Sequence, residues 1–323
     1  MYTSLIFQVI NSNADSDNDI IATSPTWAYV KDAFERTLEN YESEDYSILS
    51  YAMLLPTQGT LTELSEVGSV DPLAIHEARG NVKQALAREF QLQLKKRYDA
   101  LTDSMSDEFS VDSKSIGLRR LRNVCLQYLC SIKGTDDEVT IAAQLAKNHY
   151  DKATCMTDKV SALTCLSSMK GGVDGAATDA REDIIARFYN EANGDSLVLN
   201  KWFQIQAGAD LPDIIDRVKS LKDHPSFTVK NPNRCRALIG AFTANPTAFH
   251  AKNGDGYTFI RETLEEVDPI NASISSRLSS SLITWKKYDY ETRGKLMKDE
   301  LEQLSKLQPI SDDLFEIVTR GLK

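Results

Sequence analysis

The chain has 323 residues, 41% of them apolar and 26% charged, with 9 prolines and 15 glycines. That is enough apolar side chain for a core, and too little Pro and Gly for a disordered or fibrous chain. Its 47 acidic against 37 basic residues give a formal charge of −10, which argues against nucleic acid as a partner, because phosphate binding needs clustered Lys and Arg.

In chain order the pattern is helical. Tyr2, Leu5, Ile6 and Val9 suit a helix face, although propensity alone also allows strand there. Asn11 to Asp19 is acidic and polar and reads as a loop. Ser24-Pro25 offers a cap followed by proline at the first helical position, and Trp27, Val30, Phe34 and Leu38 then fall on one face. Asp71-Pro72 repeats the signal ahead of a long stripe of Val82, Leu86, Phe90, Leu94 and Tyr98. Leu118, Leu121, Cys125 and Tyr128 mark a further stripe, and Arg119, Arg120 and Arg122 lie mostly off it, on what reads as a solvated face. Glycines at 171–172, 194 and 208 divide the segments that follow. Asn231-Pro232, Asn245-Pro246, Asp268-Pro269 and Pro309-Ile310-Ser311 each pair a capping residue with proline before a helical segment. The spacing of these stops predicts an all-α chain of about fifteen helices with almost no sheet. Short connections suggest stacked antiparallel pairs, either as a superhelix or as a compact bundle.

The motifs that carry chemistry elsewhere are incomplete. Asp15-Ser16-Asp17-Asn18-Asp19 begins like a calcium loop, but Ile20 stands where Gly is needed and Thr26 where a bidentate Glu is needed. His76-Glu77 opens like a zinc-protease helix, yet Gly80 occupies the place of the second His. His149, His224 and His250 have no neighbours at ligand spacing and read as packing or capping residues. Gly171 to Gly175 lacks the Lys-Ser/Thr of a phosphate loop, Gly254-Asp255-Gly256 lacks a preceding strand, and no Gly-x-Ser-x-Gly elbow occurs. Cys125, Cys130, Cys155, Cys165 and Cys235 are odd in number without a Cys-x-x-Cys pair, so reduced, buried thiols are expected. The first residues carry no basic segment ahead of their short apolar run, and no stretch reaches the ~18 apolar residues of a membrane span. A reducing, cytoplasmic compartment is the expectation.

The last hundred residues add a resemblance. The run from His224 to Phe242, with Asn231-Pro232-Asn233-Arg234-Cys235-Arg236 at its centre, resembles the C-terminal domain of bacterial-type aminopeptidase N, a zinc metallopeptidase family of the gluzincin class. It continues through Ala248-Phe249-His250-Ala251-Lys252-Asn253-Gly254-Asp255-Gly256-Tyr257 and Ser276-Arg277-Leu278. Upstream, Leu121-Arg122-Asn123-Val124-Cys125, Met156-Thr157-Asp158 and Lys201-Trp202-Phe203 fit the same family.

The resemblance covers nearly the whole chain and only one part of the family's enzymes. It implies that residues 1–323 form one domain, a superhelical bowl of paired helices, with residues 2–10 helical. It also implies that the zinc site and general base lie on an upstream domain outside this chain, so this chain alone is inactive and holds no metal. Arg236 and Arg277 match arginines facing the family's peptide cavity, where a guanidinium can hold a carboxylate or carbonyl in a forked hydrogen bond. The other reading of such an arginine is a tie between helix ends. In the Asn-Pro-Asn-Arg segment, Pro232 sets the turn and Asn233 is expected to cap the helix. Ser273, one turn before Arg277, stands where bacterial relatives carry a longer polar side chain, which implies a roomier entrance. The implied partners are the catalytic domain of the same enzyme and peptide substrates. The alternative is a stand-alone helical-repeat module that binds peptide or protein on a concave face.

Overall fold

Short polar side chains begin many of the helices. The side-chain oxygens of Ser24, Asp45, Asp112, Thr135 and Asp195 each accept a backbone N–H from the turn that follows, satisfying donors that a helix start leaves bare. At Thr135 the arrangement is reciprocal, because Glu138 accepts the Thr135 N–H at 3.0 Å.

The computed structural model describes residues 1–11, 17–106 and 108–323. Among them the first helices are α1 (Tyr2–Ile10), α2 (Asp17–Thr23), α3 (Pro25–Leu38), α4 (Tyr46–Ala52), α5 (Gln58–Leu64), α6 (Pro72–Glu89) and α7 (Gln91–Asp103). Next come α8 (Ser113–Leu129), α9 (Asp136–Asp151), α10 (Met156–Ser167), α11 (Ala176–Ala192), α12 (Ser196–Ala207) and α13 (Ile214–Lys222). The chain closes with α14 (Pro232–Cys235), α15 (Ala241–Thr243), α16 (Pro246–Phe249), α17 (Asp255–Val267), α18 (Ala272–Ser279), α19 (Lys295–Leu304) and α20 (Asp312–Leu322). The β structure among the described residues is one isolated bridge, Val70 to Tyr288. The chain is all-α, as its sequence implies, with residues 2–10 helical.

There are more segments than the stop signals suggest because helices break inside continuous stripes. Val82, Leu86, Phe90, Leu94 and Tyr98 are all buried, yet the backbone turns out of the helix at Phe90 (φ −110°, ψ 24°) and the stripe is shared by α6 and α7. Asp268-Pro269 ends α17 instead of starting a helix. Asn271 caps α18, and the Asp268 carboxylate takes the Ser311 N–H at 2.7 Å and its hydroxyl at 2.6 Å, fixing the start of α20. Of the acidic stretch Asn11 to Asp19, residues 12–16 lie outside the described residues, as does part of the calcium-like run, and Asp17 already belongs to α2.

The chain divides into two compact units, residues 1–57 with 74–187, and residues 58–73 with 188–323. In the first, α8 is packed by α4, α7, α9 and α10, and Phe34 of α3 lies 5.3 Å from Phe90 and 5.0 Å from Tyr128, ring centre to ring centre. Packing by four helices buries off-stripe faces too, which corrects the solvated face expected for Arg119 and Arg122, while Arg120 stays half-buried. Arg119 is buried over the Phe109 ring, Arg120 lies 4.7 Å from the centre of the Tyr51 ring, and Arg122 is paired with Asp158 at 2.5 Å.

Asp158 is 1% exposed in the first turn of α10. It accepts hydrogen bonds from Arg122 and, at 2.9 Å, from Asn123, both on α8. His149 of α9 lies 3.8 Å away and shares a 2.8 Å hydrogen bond with the Tyr98 hydroxyl of α7. Burial pushes the Asp158 carboxyl up, but the nearby His149 ring, the Arg122 charge and the Asn123 hydrogen bond outweigh it and hold the group below the usual aspartate range.

In the second unit, Phe242, Phe249, Tyr257 and Phe259 stack edge to face. The 58–73 segment joins them through an ion pair of Glu63 with Lys287 and two backbone bonds, Gly68 N–H to the Lys287 carbonyl and Asp289 N–H to the Val70 carbonyl.

Removing the Asp158 carboxylate leaves Arg122 buried without a counter-charge. Asp158→Ala is therefore expected to lower the unfolding free energy by about 3–5 kcal/mol in urea titration. In the unsubstituted chain the Asp158 contribution is complete above about pH 4 and is lost as pH falls through its depressed folded value. A denaturation midpoint in Asp158→Ala that matches the unsubstituted chain would contradict both statements.

Candidate functional site

The three residues singled out by the sequence come together. Arg236, Ser273 and Arg277 line one cavity of about 390 Å³ in the second unit, with Pro232, Gly240, Thr243, Asn271, Ile274, Leu278, Ser280 and Ser281. One wall runs from Pro232 to Thr243, and the other is α18 with the turn after it.

The first wall starts at Asn231, whose side-chain oxygen accepts the N–H groups of Asn233 and Arg234 at 3.0 and 3.1 Å. Asn231 is thus the cap, in place of Asn233, and Pro232 takes the first helical position, where a missing N–H costs nothing. Between α14 and α15 the backbone widens into a single π turn from Arg236 to Gly240. The Arg236 side chain begins this turn and runs past Gly240, where an added Cβ would stand 3.4 Å from the Arg236 Cγ. Behind the wall, Leu238, Ile239 and Phe242 are fully buried and fix its orientation.

The second wall is started by Asn271, which accepts the Ile274 N–H at 3.1 Å. Ser273 and Arg277 are four residues apart and share the exposed face of α18, while Ile274, Ser275 and Leu278 turn inward. The hydroxyls at its end are engaged. Ser280 donates to the Arg277 carbonyl at 2.6 Å, Ser281 to the Leu278 carbonyl at 2.9 Å, and Thr243 on the opposite wall to the Gly240 carbonyl at 3.0 Å.

These engagements decide what the cavity can offer a ligand. With the rim hydroxyl protons committed to backbone carbonyls, the side-chain donors left are the Arg236 and Arg277 guanidiniums, the Ser273 hydroxyl and the amide NH2 of Asn271, whose oxygen alone is engaged. The Arg236, Arg277 and Ser273 side chains have no protein partner among the described residues. No carboxylate lines the cavity, so two positive charges face it uncompensated, in a chain whose net charge is −10. Such a site selects an anionic or carbonyl-rich ligand. The sequence reading missed Thr243, Asn271, Ser280 and Ser281, although the Ser279-Ser280-Ser281 run that begins two residues after Arg277 was a visible signal.

The remaining candidates are structural. His250 is buried with its Nδ1 2.7 Å from the Tyr257 hydroxyl, and burial, aided by the Arg293 charge, pushes its pKa down to about 3. His224 accepts the Ser226 N–H and packs against Tyr189, Trp202 and Phe203. Among the described residues no three His, Cys, Asp or Glu side chains converge as metal ligands. On α6, His76 has Gly80 and no second His one turn on, so the donor set does not fit a catalytic zinc. No described helix is long and apolar enough to cross a membrane.

A family described as a domain of unknown function (DUF3458_C) with ARM repeats matches residues 1–323. Aminopeptidase N of Escherichia coli K12 is 34% identical over 295 residues, which are 91% of this chain and 32% of that protein. Aminopeptidase N of Haemophilus influenzae is 31% identical over 90% of this chain and 31% of its own length, and that of Caulobacter vibrioides 32% identical over 90% and 32%. Among solved structures, Legionella pneumophila aminopeptidase A in complex with aspartic acid superposes with a TM-score of 0.82, at 26% identity, over 99% of this chain and 35% of that one. The chain thus spans about a third of the length of the curated relatives it matches.

Because Asn231 holds the start of the wall that carries Arg236, Asn231→Ala is expected to cost about 1 kcal/mol of stability, read as a lower denaturation midpoint. An unchanged midpoint would mean that water caps this helix equally well.

Proposed function

The chain belongs to the DUF3458_C family of ARM-repeat domains and is homologous to the C-terminal region of aminopeptidase N, and on that footing we propose that it is the cavity-forming domain of a zinc aminopeptidase. In this reading, residues 1–323 form one functional domain that covers an active site carried by another part of the same polypeptide. The metal and the general base belong to that other part, and the whole enzyme removes N-terminal residues from peptides in the cytoplasm. This domain limits access to the cleft, excludes bulk water and grips the far end of the peptide.

The observation that carries the proposal is the pair of uncompensated guanidiniums, Arg236 and Arg277, facing one cavity without a carboxylate. A short peptide whose amino end lies at a metal centre presents a carboxylate at its other end. Arg277, on a regular helix, holds that carboxylate by a forked pair of hydrogen bonds, Arg236 completes its charge balance, and the Ser273 hydroxyl donates to the same oxygens. The small Ser273 side chain leaves room for bulky residues at the entrance.

Two measurements test this. The native polypeptide, isolated from its source with an antibody to this chain, is expected to be much heavier than 36.1 kDa and to contain zinc. A zinc-free species of 36.1 kDa would transfer the function to a stand-alone peptide-binding module. In the zinc-bearing enzyme, Arg277→Ala is expected to lower kcat/KM for short free-acid peptides by about 10- to 100-fold, the worth of a charge-assisted hydrogen bond. The same peptides with amidated C-termini should change by less than about threefold, since they lack the charge. Equal losses for acid and amide would remove the carboxylate from the reading.

A further inference from the structure

The first wall of the cavity is lined at helical spacing. Pro232, Arg236, Gly240 and Thr243 recur three or four residues apart and so form one row down that wall. Gly240 is the gap in the row. On one side of it runs the stem of Arg236, and on the other the Thr243 hydroxyl is turned back onto the Gly240 carbonyl at 3.0 Å.

Nothing in the fold asks for glycine at this place. Its backbone angles, φ −65° and ψ −34°, are ordinary helical values that any residue adopts. Beyond its own helix backbone, an added Cβ would meet only the Arg236 Cγ at 3.4 Å, a normal contact with a flexible side chain. Elsewhere glycine stands where segments touch. A Cβ on Gly117 would lie 3.0 Å from the Tyr46 Cβ of α4, and one on Gly256 would run into the carbonyls of Ala248 and Phe249. Gly80 of α6 also has no neighbour, but it is exposed, and its missing side chain leaves only solvent. Gly240 is half-buried and faces the cavity. Glycine weakens a helix interior through lost backbone entropy, and what Gly240 leaves in return is a hollow in the wall of a ligand site.

We propose that Gly240 is the specificity-determining residue of the cavity, and that the hollow over it takes the side chain of a peptide's last residue, with bulky apolar residues preferred. This rests on the peptide reading given above. A carboxylate held by Arg277 and Arg236 brings the last residue between the two walls, and the place on the first wall, one turn from Arg236, where no side chain projects is Gly240. Apolar surface is supplied to the same cavity by Pro232, by Ile274 and Leu278 of α18, and by the stem of Arg236. Gly240 has no side-chain donor or acceptor, and its carbonyl is already engaged by the Thr243 hydroxyl and by the Ala244 N–H at 3.3 Å. A polar side chain lying there would give up water without a partner, whereas an apolar one gains by leaving water.

The test compares the native polypeptide with its Gly240→Ala, Gly240→Leu and Gly80→Ala variants on free-acid tripeptides that differ only in a last residue of Phe or Gly. Without substitution, kcat/KM is expected to be about tenfold higher for the Phe-ended peptide. Gly240→Leu fills the hollow and is expected to lower kcat/KM about tenfold for the Phe-ended peptide and less than about twofold for the Gly-ended one. Both alanine variants are expected to raise Tm by about 1–3 °C, since each removes a glycine from a helix, and only Gly240→Ala is expected to narrow the Phe preference. Equal losses for the two peptides in Gly240→Leu, or a lower Tm in Gly240→Ala, would overturn the proposal, the second by showing that the fold itself needs glycine there. The same peptides with amidated ends separate the two readings. An acid-over-amide preference that survives while the Phe and Gly losses are equal overturns the role of Gly240 alone, whereas equal rates for acid and amide overturn the carboxylate anchor whatever Gly240 does. If the native polypeptide is zinc-free, the same ratios are read from dissociation constants.

Discussion

A carboxylate that has given up water for protein donors makes demands on its neighbours, and Asp158 makes them on three other helices at once. Its oxygens are satisfied only while Arg122 and Asn123 of α8 face them and His149 of α9 stands behind, itself held by Tyr98 of α7. Apolar packing between these helices would tolerate small shifts in register, because it has no direction. The charge does not tolerate them, since a displaced Asp158 leaves both itself and Arg122 unpaired in low dielectric. Its place in the first turn of α10 adds the favourable end of the helix dipole. The hydrophobic stripes thus bring α7 to α10 together, and the polar junction fixes how they meet.

The second unit gains its specificity differently, through caps and turns at the surface of a largely apolar core. Asn231 and Asn271 start the two cavity walls, Gly240 leaves the stem of Arg236 a path, and the wide turn aims that side chain out of an otherwise buried helix. Serine and threonine hydroxyls close the helix ends on their own carbonyls. The selectivity of the cavity therefore owes as much to donors already in use as to the arginines left free.

How much of this was legible depended on how local the cause was. Helix starts at Ser24-Pro25 and Asn245-Pro246 were readable because cap and proline act within four residues. Asp268-Pro269 carries the same residue types but ends a helix, since its carboxylate is committed to Ser311, 43 residues on. The stripe through Phe90 was readable as buried and not as broken, because its spacing survives the kink. Arg119 and Arg122 were misplaced because periodicity along α8 describes one face, and only the helices packed around it show which other faces are covered. Arg236 and Arg277 are 41 residues apart, so their shared cavity followed from family resemblance and from no spacing rule.

Residues 58–73 belong to the second unit although both stretches flanking them belong to the first. During synthesis this segment emerges early, while the partners of Gly68, Val70 and Glu63, at residues 287–289, emerge near the end. The first unit can complete its own contacts once residue 187 is out, but the second must hold its earliest strip in waiting for over two hundred residues. Closure over so long a separation is slow relative to local helix formation. Division of the gene at 187/188 would give an N-terminal product carrying a segment it cannot use and a C-terminal product missing one it needs.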